Sequence, residues 1–188
     1  MVQFIVFHKV VKRILFIALT TFVCLQANAQ MVAVKTDLLK DVAMMPNAGV
    51  ELVVGERHTM GLQFFGAKNP WGNEVGVIGI TPSFRYWLSG RTMSRLFVGV
   101  NAQVVNYDVK WGKDVFQGNA AALGLSLGYA FNLSKHLNLE IEGGTQIMSY
   151  SQKEYCKGDS YTQYGEKSSA HGTILFPRLE FSFVYVIR

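Results

Sequence analysis

The run Ala120-Ala121-Ala122-Leu123-Gly124-Leu125-Ser126-Leu127-Gly128-Tyr129-Ala130-Phe131 decides how the rest of the chain is read. Leu123, Leu125, Leu127, Tyr129 and Phe131 recur at every second residue, with Gly124, Ser126, Gly128 and Ala130 between them. A period of two belongs to an extended strand, whose successive side chains point to opposite faces. Other runs repeat the contrast. Ile80, Pro82, Phe84, Tyr86 and Leu88 oppose Thr81, Ser83, Arg85 and Trp87. Leu137, Leu139, Ile141 and Ile147 oppose Asn138, Glu140, Glu142 and Gln146, and Leu179, Phe181, Phe183, Tyr185 and Ile187 oppose Arg178, Glu180, Ser182 and Val184. A soluble sandwich also alternates, with its apolar face inward. Here the second face carries glycine, serine and isolated charges, not the dense lysine and glutamate that hydrate a soluble surface. The apolar face is therefore the one expected to look outward, to lipid.

Working outward from that run, eight candidate strands follow: Val32 to Leu39, Ala48 to Gly55, Thr59 to Ala67, Ile78 to Ser89, Arg95 to Tyr107, Ala120 to Phe131, Leu137 to Gln152 and Gly172 to Arg188. No stretch after Gln30 reads as a helix of useful length. The connections Gly55 to His58, Ser89 to Ser94 and Asn132 to His136 are tight, whereas Lys68 to Val77, Asp108 to Asn119 and Lys153 to His171 are long and polar. Lys40 to Asn47, with its Pro46-Asn47 turn signal, makes a shorter connection of the second kind. Tight and long connections alternate, the order expected of an outer-membrane barrel with periplasmic turns and outer loops. The expected fold is all-β: an eight-stranded antiparallel up-and-down transmembrane β-barrel, which leaves no sheet edge exposed.

A barrel of this kind has to be exported, and the amino terminus reads accordingly. His8, Lys9, Lys12 and Arg13 form a basic front, Ile14 to Leu25 is apolar, and Ala27-Asn28-Ala29 places small residues where a signal peptidase reads. The expected division is a signal peptide over 1–29, cut after Ala29 on Sec export, and a barrel over 30–188. The apolar run is short of the roughly 20 residues a membrane-spanning helix needs. Cys24 is a poor lipoprotein cysteine because Val23 precedes it, and its removal leaves Cys156 without an internal disulfide partner. The chain of 188 residues carries a net charge of +5, but three of its 18 cations and none of its 13 acids fall in the first thirteen residues, which leaves the rest at +2. That is no footprint for nucleic acid.

Eight strands enclose a space that side chains fill. The inward phase holds Lys35, Arg85 and Arg178 against Asp37, Glu51, Glu140, Glu142 and Glu180, with Gln63, Asn101 and Gln103. Buried charges persist when paired and hydrogen-bonded, so this set is expected to form a structural plug with Arg85 as a strut between Glu140 and Glu142. The same residues leave open a narrow cation path or a proton-linked gate. On the outward phase near the tight turns, Tyr86, Tyr129, Phe131 and Tyr185 make an aromatic girdle suited to a headgroup layer. Trp71, Trp111, Cys156, Tyr161 and Tyr164 in the longer connections are candidate contacts for a partner. His171 follows Glu166, Ser168 and Ser169, which admits a lipid- or peptide-modifying enzyme, although neighbours on a loop impose no catalytic geometry. His58 and His136 fall in two turns on one side without further metal ligands, and no cofactor signature is present.

The stretches Val34-Lys35-Thr36-Asp37-Leu38-Leu39, Pro46-Asn47-Ala48-Gly49-Val50-Glu51, Asn69-Pro70-Trp71-Gly72-Asn73 and Arg85-Tyr86-Trp87-Leu88 resemble those of a domain-of-unknown-function family of small outer-membrane barrels in Bacteroidota. Gly124 to Tyr129, Leu133-Ser134-Lys135, Leu137-Asn138-Leu139-Glu140 and the ending Val184-Tyr185-Val186-Ile187 extend the likeness over the mature chain. The resemblance implies a barrel with no established activity, often encoded beside fimbrial or adhesin genes. It also implies a cysteine pair in the last loop, of which Cys156 is present while Tyr164 stands where the other belongs. The expected role is a non-enzymatic outer-membrane barrel that contacts lipid and, through its outer loops, a fimbrial or other surface protein. A small-solute pore is a further alternative.

Overall fold

The computed structural model describes residues 31–111, 114–156 and 169–187. The expected export segment, Tyr161, Tyr164, Glu166, Ser168 and Arg188 lie outside them. The decisive run does form a strand, and it is longer than its period-two core. Its alternation of buried and exposed residues continues unbroken from Asn119 to Phe131. Leu123 and Leu125 are 64% and 66% exposed, while Gly124 and Ser126 between them face inward.

Eight antiparallel strands close into one ring in sequence order. They are β1 (Val32–Asp37), β2 (Asn47–Val53), β3 (His58–Lys68), β4 (Val75–Trp87), β5 (Arg95–Trp111), β6 (Asp114–Asn132), β7 (Leu137–Cys156) and β8 (Ser169–Ile187). A row of partners followed from Val34 through Val50, Leu62, Pro82, Ala102, Leu123 and Ile147 reaches Leu175. The β1–β8 register then sets Leu175 against position 44, ten residues beyond the start. With ~3.3 Å per residue and ~4.8 Å between strands, that stagger tilts the strands by roughly 40° from the axis, within the range for barrels. Each row consequently climbs toward the end where the longer connections lie, here called the loop end.

Two expectations need correction. The connection 108–119 is mostly strand: β5 and β6 pair out to Trp111 and Asp114, so Trp111 sits on a hairpin and not in a loop. Likewise residues 153–156 and 169–171 extend β7 and β8, with Cys156 at a strand end opposite Asp114. In 108–119 the apolar Val109, Val115 and Phe116 do not keep a regular alternation with their polar neighbours, so the segment lacks the contrast that marks a half-buried strand, and cross-strand pairing shows the strand instead. At the other extreme β1 stops at Asp37, two residues short of the expected end. Asp37 caps a single helical turn, α1 (Leu38–Val42), by accepting from the Leu39 amide at 3.1 Å.

Inside, aromatic rings lie over glycines directly opposite them. Phe65 faces Gly79, Phe97 faces Gly128, Tyr107 faces Gly118 and Tyr150 faces Gly172. A Cβ on Gly79 or Gly128 would fall 2.3 Å from the ring of Phe65 or Phe97. Only glycine leaves room for these rings against the wall.

Candidate functional site

The interior is crossed by a chain of alternating charges. Asp37 at the top of β1 accepts from Lys40 Nζ at 2.7 Å, and Lys40 also reaches Glu180 Oε1 of β8 at 2.9 Å. Glu180 receives Arg178 Nη2 at 2.6 Å and has Lys35 Nζ at 3.9 Å. Arg178 Nε lies 3.6 Å from Glu142 of β7, and Glu142 is held by Arg85 Nη2 at 2.5 Å. Arg85 of β4 spends its other terminal nitrogen on two acids, Glu51 Oε2 of β2 at 2.7 Å and Glu140 Oε2 of β7 at 2.9 Å. One guanidinium thus ties strands on opposite sides of the ring. Arg85 is 2% exposed, and a charge so far from water is held only by partners of this quality.

Below this chain, toward the tight turns, the interior is apolar and full. Ala33, Val53, Trp87, Met93, Phe97, Ala130, Val184 and Val186 form one buried cluster. The Arg85 guanidinium lies 4.5 Å over the Phe97 ring, and Trp87 Nε1 donates to Thr59 Oγ1 at 3.0 Å, which in turn donates to Glu51. The arrangement is a bolted plug: every acid of the expected set has a cation within reach, and an apolar floor closes the turn end.

The expected strut is present and larger than anticipated. Arg85 does sit between Glu140 and Glu142, with Glu51 as a third partner. Lys40 was expected in a loop, and its role inside was missed. It is half a turn into α1, which swings its ammonium back over the mouth and over the Phe65 ring at 5.6 Å. The available signal was local: Asp37 before Leu38-Leu39-Lys40 is a helix cap, and a capped turn returns its third residue toward the cap.

The aromatic set at the turn end also gathers. Tyr129 and Phe131 lie 4.6 Å apart by ring centre. His58 packs on Tyr86 at 5.2 Å and on Phe84 at 5.6 Å, and His136 stacks on Tyr185 at 6.0 Å with its Nδ1 3.0 Å from the Val186 carbonyl. The two histidines are members of this ring of aromatics. Among the described residues no three histidine, cysteine, aspartate or glutamate side chains are grouped as a metal needs. At the loop end Trp71 is exposed on a 3₁₀ turn, Pro70–Gly72, and takes a positive φ of 53°, as does Asn69 at 54°. His171 is exposed opposite Ser151, on the outer face of β8.

A family model described as a protein of unknown function (DUF3575) matches residues 14–187. No curated protein and no solved structure matches the chain.

Proposed function

The chain belongs to the DUF3575 family, proteins of unknown function, and from that premise we propose that it is an outer-membrane β-barrel. On this reading it is exported by a cleaved signal peptide, catalyses no reaction, and anchors or assists a surface structure such as a fimbria or adhesin through its loop end. The observation that carries the reading is the outward belt. Leu123, Leu125, Leu175 and Leu179 are all 64–72% exposed on a closed ring whose ion-paired residues face inward. Leaving one such side chain in water forgoes about 1.5–3 kcal/mol, and a belt of them is stable only against hydrocarbon. The tight turns then face the periplasm beside the aromatic girdle, and the hairpin β5–β6 and strands β7 and β8 project outside.

Outer-membrane fractions run on a denaturing gel with and without boiling test the barrel in its membrane. A band that shifts on boiling is expected, and a soluble protein without a shift would overturn the reading. Replacing residues 108–117 by an Asn-Gly turn, which joins the directly paired Tyr107 and Gly118, tests the surface role. The gel shift should persist while surface assembly is lost; assembly at the wild-type level would remove that part of the proposal. The filled interior argues against a small-solute pore, and planar bilayers containing the protein are expected to stay silent.

A further inference from the structure

The outer face of the tall strands carries a groove with two chemically different halves. Its row of partners runs Lys68, Gly76, Asp108, Gln117 and Lys153 across five strands, and the row beneath runs Gly66, Ile78, Asn106, Asn119 and Ser151. Both rows are on the outward phase, the phase of Phe64, Ile80 and Val104 one step further down. Gly66 and Gly76 supply no side chains, so main chain forms part of the floor. The upper hollow, about 940 Å³, is lined by Lys68, Asn106, Asp108, Gln117, Asn119 and Lys153 among others. A second hollow of about 450 Å³ continues below it and shares Pro46, Gly66 and Ile78; Ala48 and Phe64 make it apolar.

We propose that this groove holds a phosphorylated glycolipid of the outer leaflet, with an acyl chain in the lower hollow and its saccharide in the upper one. This rests on the reading of the chain as an outer-membrane barrel. The chemistry fits in three parts. Phe64, Ile78 and Ala48 offer hydrocarbon contact at the top of the belt. Asp108, whose Oδ1 is buried without a protein partner, and the amides of Asn106 and Asn119 are the groups that bind sugar hydroxyls. Lys68 and Lys153 provide cations at the two ends.

Geometry selects the occupant among lipids. Four strand spacings separate Lys68 from Lys153, about 19 Å, and because the row is tilted it rises by about 12 Å toward the loop end. The headgroup of a glycerophospholipid stays near the belt and leaves the upper end empty. A saccharide that leaves the bilayer and bears phosphate along its length follows the climb.

The full mature protein in mild detergent, titrated by native mass spectrometry, tests this with three probes. They are a lipooligosaccharide with a phosphorylated core, the corresponding lipid A alone, and phosphatidylglycerol. The lipooligosaccharide should bind at least about tenfold more tightly than phosphatidylglycerol, as paired charge-assisted contacts supply. Lys153→Ala should weaken the lipooligosaccharide and leave lipid A unchanged, whereas Lys68→Ala should weaken both. Equal binding of the three probes, or variants that bind as the wild type does, would overturn the inference. The gel shift of the same samples separates the failures: a shifted band with no selectivity sinks only the glycolipid site, and an unshifted band sinks the barrel as well.

Discussion

The two sides of this ring differ in height. β1 and β2 have six and seven residues, whereas β5, β6, β7 and β8 have 17, 19, 20 and 19. A membrane-crossing strand needs about 9–11 residues. The short side falls below that, and α1 continues it: Leu39, Val42 and Met44 extend the outward apolar surface while Lys40 turns in to Asp37 and Glu180. The tall side exceeds the requirement and changes character where it does so, from Leu, Val and Phe outside to Asn, Asp and Lys. The rim thus climbs from β1 round to β7 and drops at β8, whose residues 169–181 have no strand on the β1 side. The comparison separates what closes the ring from what it displays. The lower ring is bolted by charge and floored by aromatics; the upper wall is held mainly by strand pairing, with Tyr107 and Tyr150 against glycines and Tyr107 donating to Gln152 at 3.1 Å.

The sharpest way to break that division is at the bolt. Arg85→Ala leaves Glu51, Glu140 and Glu142 buried around a missing cation, which should cost about 3–5 kcal/mol and abolish the cold-resistant band. Urea unfolding of protein refolded in vesicles, followed by the fluorescence of the buried Trp87, would measure it. Next comes the floor. Gly128→Val puts carbon into the Phe97 ring and should cost about 1–3 kcal/mol in the same assay, since neither wall nor ring can retreat. Lys40→Ala, at the rim of the short side, leaves Glu180 with Arg178 and Lys35 and leaves Asp37 with the amides of Leu39 and Phe181, and a loss of about 1.5 kcal/mol is expected. The smallest effect should come from the upper wall: Lys110→Ser, exposed on β5, should change the unfolding free energy by less than about 0.5 kcal/mol. A larger loss there would mean that the tall hairpins help to hold the ring.

The same division explains what could be read from the residues alone. Within the belt every strand had to be apolar outside and small or polar inside, so the phase of Leu123, Arg85, Glu140 and Glu180 was legible, and with it the ring and most of the plug. Above the belt the residues of 108–111 and 114–119 do not alternate regularly, so no contrast marks them in the sequence and cross-strand pairing is what shows them to be strands. Pro177 did carry an unused signal. Phe181 donates its amide toward Asp37 on the β1 side, and four residues back the same parity aims the nitrogen of Pro177 at the unpaired edge. Proline is tolerated in a sheet at such a place, so it marks where β8 outruns its neighbour. Lys40 was hidden for a different reason: its position depends on a single capped turn, and helix ends are the least regular part of a pattern.

The aromatic–glycine pairs have a consequence for how the ring comes together. They fall within the hairpins β3–β4, β5–β6 and β7–β8, and in each the aromatic is on the earlier strand. As a hairpin zips, the ring is already in place when its partner strand arrives. A slip by one residue would bring a Cβ where the ring must lie and turn the apolar side chains to the wrong face. Each hairpin therefore checks its own alignment within two neighbouring strands, before β1 meets β8. The slow step left over is the meeting of β1 with β8, by which time six of the eight strands have lost the freedom to mispair.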